Sequence, residues 1–180
     1  LIYEDGVLVR AITRGDGTIG EDVTTNVRTI ASVPLRLRVS KDAQPFLKGR
    51  TEVRGEIIML KKSFEALNQR QAAAGKPTFA NPRNLAAGTI RQLDPRLVAD
   101  RPLNFRAYDL IRETPAEVPT YEFAYNAIRS IGIACNLESV VLRSIDDVMK
   151  YINIWEEKRL VLPFNSDGLV IKVNDRKQYQ

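Results

Sequence analysis

Two arginines eight positions apart dominate the segment Phe79 to Asp94, FANPRNLAAGTIRQLD, which is otherwise almost devoid of charge. Asn81 is a good helix N-cap, and Pro82 suits the first helical position, where its missing N–H would have had no partner. Arg83 then falls in the first turn, where the helix dipole disfavours a cation by a few tenths to about 1 kcal/mol. An anion should compensate it. Arg91 follows two turns later and projects from roughly the same side. Small and apolar residues between them let the helix lie close to its neighbours. The segment alone supports two readings: surface arginines paired with Asp94 and a solvent ion, or a helix that turns its arginines toward phosphates.

Three further clusters could do chemistry. Glycines 15, 17 and 20 follow Arg14 in RGDGTIG, a spacing that matches neither the dinucleotide fingerprint nor the Walker loop. Arg14-Gly15-Asp16-Gly17 imitates a Lys-x-Asp-Gly motif with arginine in the lysine position. A guanidinium does not shed its proton, so Arg14 cannot be a covalent nucleophile. It reads as a phosphate or ribose contact beside a turn that needs positive φ at glycine, or as part of a plain surface turn. In Thr51 to Met59 (TEVRGEIIM), strand alternation puts Glu52, Arg54, Glu56 and Ile58 on one face. Gly55 leaves a gap on the other, where a ligand or backbone could approach. Glu56 could accept from ribose hydroxyls or hold a cation; a solvated edge with a Glu52–Arg54 ladder is the alternative.

The last cluster is Asp167 to Val173, DGLVIKV. A regular strand would place Asp167 and Lys172 on opposite faces, so both reach one site only if Gly168 bends the chain. Lys172 in an apolar strand costs free energy to desolvate unless it meets an anion, which makes it a candidate nucleotide-phosphate contact. Asp167 is the candidate for metal or proton handling.

Composition narrows the chemistry. The 180 residues carry a formal charge of +5, and 18 of the 27 basic residues are arginine, whose planar fork matches phosphate bidentately. There is no histidine and one cysteine, Cys135, in an apolar run. Ser-His-Asp triads, histidine metal sites, CxxC centres and the usual structural zinc sites are therefore excluded within the chain. With no internal disulfide possible, a reducing cytoplasm is the expected compartment, and no apolar run suits a membrane span or signal peptide.

These residues need elements to hold them. The pattern predicts a hairpin over Leu1 to Ile12 with a turn at Glu4-Asp5-Gly6, a short helix around Glu21 to Thr29, and an edge strand at Val33 to Leu37. A strand from Thr51 to Met59, a helix from Lys61 to Ala74 and the arginine helix follow. Next come a strand from Asn104 to Ile111, a helix from Tyr121 to Ile131, a strand from Glu138 to Leu142, a helix from Ile145 to Glu157, and a last strand from Asp167 to Val173. The expected class is α+β, with largely antiparallel sheets flanked by helices. Leu1 lies within the first strand, so further residues are expected upstream.

Taken in order, AITRGDGTIGEDVTTNVRTI, EVRGEI, FANPRNLAAGTIRQLDPR with RPLNFRAYDL, and SDGLVIKVND resemble the adenylation (nucleotidyltransferase) domain of bacterial NAD-dependent DNA ligases. The blocks cover roughly half the chain, and Ile111 to Phe164 is similar only in general pattern. The resemblance implies a ligase- and capping-type nucleotidyltransferase core, ATP-grasp-like, with residues 1–180 forming most of that domain. It implies that Arg14 and Glu56 contact the ribose and phosphate region of an adenylate, that Tyr108 stacks on adenine, and that Arg159 lies near the nucleotide phosphates. Arg83 and Arg91 match arginines serving nick sealing and the DNA backbone; Asp167 and Lys172 match the final active-site strand, with the lysine on the adenylate phosphate. NAD, magnesium and nicked duplex DNA are the implied partners, and a monomer is expected.

In such enzymes a lysine attacks the adenylyl phosphorus of NAD. The Lys-x-Asp-Gly motif that supplies it is expected just upstream of Leu1, so this stretch should bind nucleotide without adenylating itself. Asn165 and Ser166 depart from the acidic and aliphatic pair that commonly precedes Asp-Gly in the family, which alters the charge around Asp167. A non-catalytic nucleic-acid or nucleotide-binding module and an ATP-dependent ligase or capping-type enzyme are the competing readings.

Overall fold

The computed structural model describes residues 1–178. Its centre is a four-stranded antiparallel sheet in the order β2-β1-β3-β4, with β1 at Ile2–Glu4, β2 at Val7–Arg10, β3 at Arg50–Met59 and β4 at Leu103–Arg112. The β1–β2 turn has positive φ at both Asp5 and Gly6, the twist a tight hairpin requires. β3 and β4 are long and pair over their full length, whereas β1 covers only Arg50 to Glu52.

Helices bury one face of this sheet. They are α1 (Thr24–Val27), α2 (Lys61–Ala73), α3 (Pro82–Ile90), α4 (Pro95–Ala99) and α5 (Tyr121–Ser130), while α6 (Ile145–Lys158) lies outside this common core. Tyr3, Val53, Phe105 and Leu110 from the strands share one core with Leu85, Ala86 and Ile90 of α3 and Ala124 and Ile128 of α5. Capping follows the sequence: Asn81 accepts from the Asn84 N–H at 2.8 Å, Thr120 from Phe123, and Ser144 from Asp147. Asn26 is buried and donates to the carbonyls of Ile90 and Gln92 at 2.8 and 2.7 Å, satisfying groups that the end of α3 would otherwise orphan.

Several expected elements differ, each for a local reason. Val33 to Leu37 forms only an isolated bridge, Val7 with Arg36, because Pro34 offers no N–H and the Arg38 N–H turns to Ile131. Glu138 to Leu142 is irregular: the Glu138 N–H goes to the Asn136 side chain and its carbonyl to the Tyr151 hydroxyl. The first helix shrinks to Thr24–Val27 because the Asp22 carboxylate accepts from the Thr24 N–H at 2.9 Å and fixes the start there. Asp167 to Val173 is not a strand; it runs without a ladder partner among the described residues, and its first backbone bridge is that of Asp175 with Thr120.

Candidate functional site

The sheet face away from the core presents the alternate residues of β3, with Glu56 exposed opposite Arg106 of β4. A β-bulge interrupts this ladder. Arg54 faces Asp109 but Gly55 faces Ala107, leaving Tyr108 as the extra residue. The bulge shifts the alternation of β4: Ala107 and Leu110 are both buried, while Tyr108 between them stands 43% exposed. A sequence-level alternation through RAYDL cannot show such a shift.

Lys172 reaches this bulge. Its ammonium lies 5.7 Å from the Tyr108 ring centroid and 4.4 Å from that of Tyr121 at the start of α5. The side chain is half-buried and has no carboxylate partner among the described residues. Its positive charge rests on ring quadrupoles, worth about 0.5–1 kcal/mol at partly exposed sites, and stays available to an anion. The buried Nε of Arg106 is another donor on β4 without a partner among the described residues.

The arginine helix is compensated as its dipole demands, but by two different anions. Arg83 donates to Asp167 at 2.5 Å, and Arg91, which caps the end of α3, bonds Glu21 at 2.8 Å. Asp94 partners neither. It caps α4 and binds Arg96, whose hydrogen bonds hold the carboxyl below the usual range. Both α3 ion pairs are more than half exposed, so they contribute little to stability.

Around Arg14 the chain makes the expected positive-φ turn at Gly15 and Gly17. At Gly15 a Cβ would lie 1.7 Å from the Ile19 carbonyl oxygen, so the loop admits only glycine there. Asp16 accepts from the backbone N–H groups of Ile19 and Thr18 at 2.7 and 2.8 Å, bonds that lower its pKa. Arg14 is exposed and makes no ion pair among the described residues, and the Arg91–Glu21 pair ties its loop to α3. Because the folded carboxyl is the stronger acid, its stabilisation is full above the unfolded pKa and is lost as pH falls through the folded value. An NMR titration should give Asp16 a midpoint below that of an ordinary aspartate, shared by the Thr18 and Ile19 amides; an ordinary midpoint would contradict the turn geometry.

Arg159 caps the exposed end of α6 and makes no ion pair among the described residues. Gly55 offers no room to a ligand, since the Phe105 ring fills the space a Cβ would take. Asp167 meets Arg83, not Lys172, and among the described residues no group of acidic, cysteine or histidine side chains could hold a metal unaided. A single exposed carboxylate suits only an ion that keeps most of its waters and takes further oxygens from a substrate. Tyr121, which meets the Lys172 ammonium, and the Asp109–Arg176 pair beside it carry no spacing signal because they lie far apart in sequence.

An antiparallel sheet buried on one face by helices, with an aromatic ring, a carboxylate and an ammonium gathered on β3 and β4, is compatible with a ligase- and capping-type nucleotidyltransferase core. Residues 1–180 match the family described as the NAD-dependent DNA ligase adenylation domain, and the chain belongs to it. The DNA ligase of Halalkalibacterium halodurans is 49% identical over 175 residues, covering 97% of this chain and 25% of the relative. That of Thermomicrobium roseum is 48% identical over 183 residues, covering all of the chain and 26% of the relative. The DNA ligase of Anoxybacillus flavithermus is 45% identical over 174 residues, with 97% and 25% covered. The chain thus spans about a quarter of the length of these curated relatives.

Proposed function

We propose that this chain is the nucleotide-binding part of a bacterial DNA ligase that activates itself with NAD and seals nicks during replication and repair. The observation that carries the reading is the placement of Lys172 over Tyr108 at the β4 bulge, on the sheet face that carries Glu56. Adenine stacks on Tyr108, Glu56 accepts from the ribose hydroxyls, and Lys172, Arg14 and Arg159 engage the phosphates. The attacking lysine comes from a segment preceding Leu1. The pairing of Ile2 with Glu52 directs such a segment along β3 toward Glu56.

In the first step that lysine's nitrogen forms a bond to the adenylyl phosphorus of NAD, and the bond to nicotinamide mononucleotide breaks. Lys172 holds the phosphate oxygens as charge develops. The AMP then passes to a 5′-phosphate at a nick, and the 3′-hydroxyl displaces it. Arg83 and Arg91 hold DNA phosphates once their exposed pairs with Asp167 and Glu21 open, which also frees Asp167 for magnesium. Magnesium, when bound, neutralises phosphate charge. The protein acts in the cytoplasm as a monomer.

Full-length protein incubated with NAD labelled in its adenylyl group should give a lysine-linked AMP adduct, a phosphoramidate stable to alkali and cleaved by acid, that disappears on addition of nicked duplex. Arg91→Ala should slow that disappearance more than adduct formation. Folded protein that yields no adduct would sink the reading, and equal slowing of both steps would remove Arg91 from the DNA.

A further inference from the structure

Among the described residues the segment that carries Lys172 has no strand to hold it, yet Lys172 sits at a defined place over two rings. What fixes it is the next few residues. The Tyr121 N–H donates to the Asn174 carbonyl and the Arg176 N–H to the Pro119 carbonyl, both at 3.1 Å, while the Asn174 side chain accepts from the Glu122 N–H at 3.0 Å. Arg176 then reaches back to β4. Its guanidinium donates to the Leu110 carbonyl at 3.0 Å and pairs with the Asp109 carboxylate, in a site where the two side chains are only 21% and 14% exposed. The same guanidinium lies 4.7 Å from the Tyr121 ring, the ring that also receives the Lys172 ammonium at 4.4 Å.

Asp109 immediately follows Tyr108 in the bulge. The Asp109–Arg176 pair therefore joins the two halves of the proposed nucleotide site: one end braces the ring-bearing bulge, the other the segment that carries the ammonium four residues earlier. We infer that Asp109, Arg176 and Tyr121 form a positioning clamp that sets the distance between Tyr108 and Lys172, and so between the base and the phosphate of the bound nucleotide. None of the three touches the reacting atoms in this account. The inference rests on the reading of Lys172 and Tyr108 given above.

A largely buried pair is suited to the task. It has lost most of its hydration, so removing one partner leaves the other uncompensated and frees both segments, whereas an exposed pair could break with little consequence. Displacement of a phosphate contact by about 1 Å can slow a reaction by up to about a hundredfold, so a clamp of this kind acts on rate without touching substrate.

The test is single-turnover self-adenylation of the full-length protein at saturating NAD. The amplitude counts correctly folded molecules and the rate constant reads the geometry of those molecules. Arg176→Ala and Asp109→Ala should each lower the rate constant about tenfold or more, and the double variant should lose no more than either alone. In a Lys172→Ala background, Arg176→Ala should have little further effect, because the clamp acts through that ammonium. A fall in amplitude with an unchanged rate constant would reduce the pair to a structural role and overturn the inference, as would full additivity with Lys172→Ala. Failure of the wild-type protein to form any adduct would instead overturn the functional reading beneath it.

Discussion

Lys172→Ala is expected to slow self-adenylation on the order of 10²- to 10³-fold, the range seen when a preorganised charge is removed from a site of developing negative charge. Stability should hardly change. The ammonium has no carboxylate partner among the described residues and rests on the rings of Tyr108 and Tyr121, with the Arg176 guanidinium close to the same ring. Deleting it costs a cation–π contact of about 0.5–1 kcal/mol and relieves some repulsion between two cations. A thermal melt beside the single-turnover rate separates the two effects. A wild-type rate would remove Lys172 from the phosphate. A loss that tracks unfolding would mean that the lysine holds the segment rather than the nucleotide.

Substitution at Gly55 should do the reverse. A Cβ there would lie 2.3 Å from Cζ of the buried Phe105 ring and 2.5 Å from the Arg106 carbonyl oxygen, and the backbone atom cannot move aside without disturbing the β3–β4 ladder. Gly55→Ala should cost about 1–3 kcal/mol, and Gly55→Val more, from a total that is commonly only about 5–15 kcal/mol. Because Gly55 pairs with Ala107 at the edge of the bulge, the alanine variant should also slow adenylation in molecules that remain folded. Chemical denaturation of the full-length protein measures the first effect. An unchanged midpoint for Gly55→Ala would show that Phe105 repacks freely and that the close approach is incidental.

A missing side chain at Gly55 admits a ligand or another backbone on the face opposite Glu56, and here the Phe105 ring and the Arg106 carbonyl oxygen of β4 make the approach. The gap exists in the strand, but a ring from the next strand fills it, and no periodicity along β3 reveals which residue of β4 will arrive. The arginine helix shows a similar division. Asn81 and Pro82 place its start, and the dipole requires an anion near Arg83, which the structure supplies as Asp167. That the anion lies 84 residues away, and that Arg91 has a separate one in Glu21, follows from packing alone. The start of α4 is written in the chain as well, since Asp94-Pro95 carries the same cap-then-proline signal as Asn81-Pro82.

By itself the sequence determined what depends on near neighbours. The Asp5-Gly6 hairpin, the capped helices and the glycine-dependent turn after Arg14 rest on residues within a few positions of one another, where rotamer, cap and turn preferences act directly, while composition alone removes histidine and disulfide chemistry. Only the tertiary structure decided that Tyr108 leaves the ladder, that Asp167 and Lys172 part toward different partners, and that Arg176 pairs with Asp109 beside the Tyr121 ring that Lys172 also meets. Those arrangements come from one strand sliding a residue against another and from long-range burial of charge. A register shift of a single residue costs nothing visible in the sequence, yet it turns a side chain from the core to the open face.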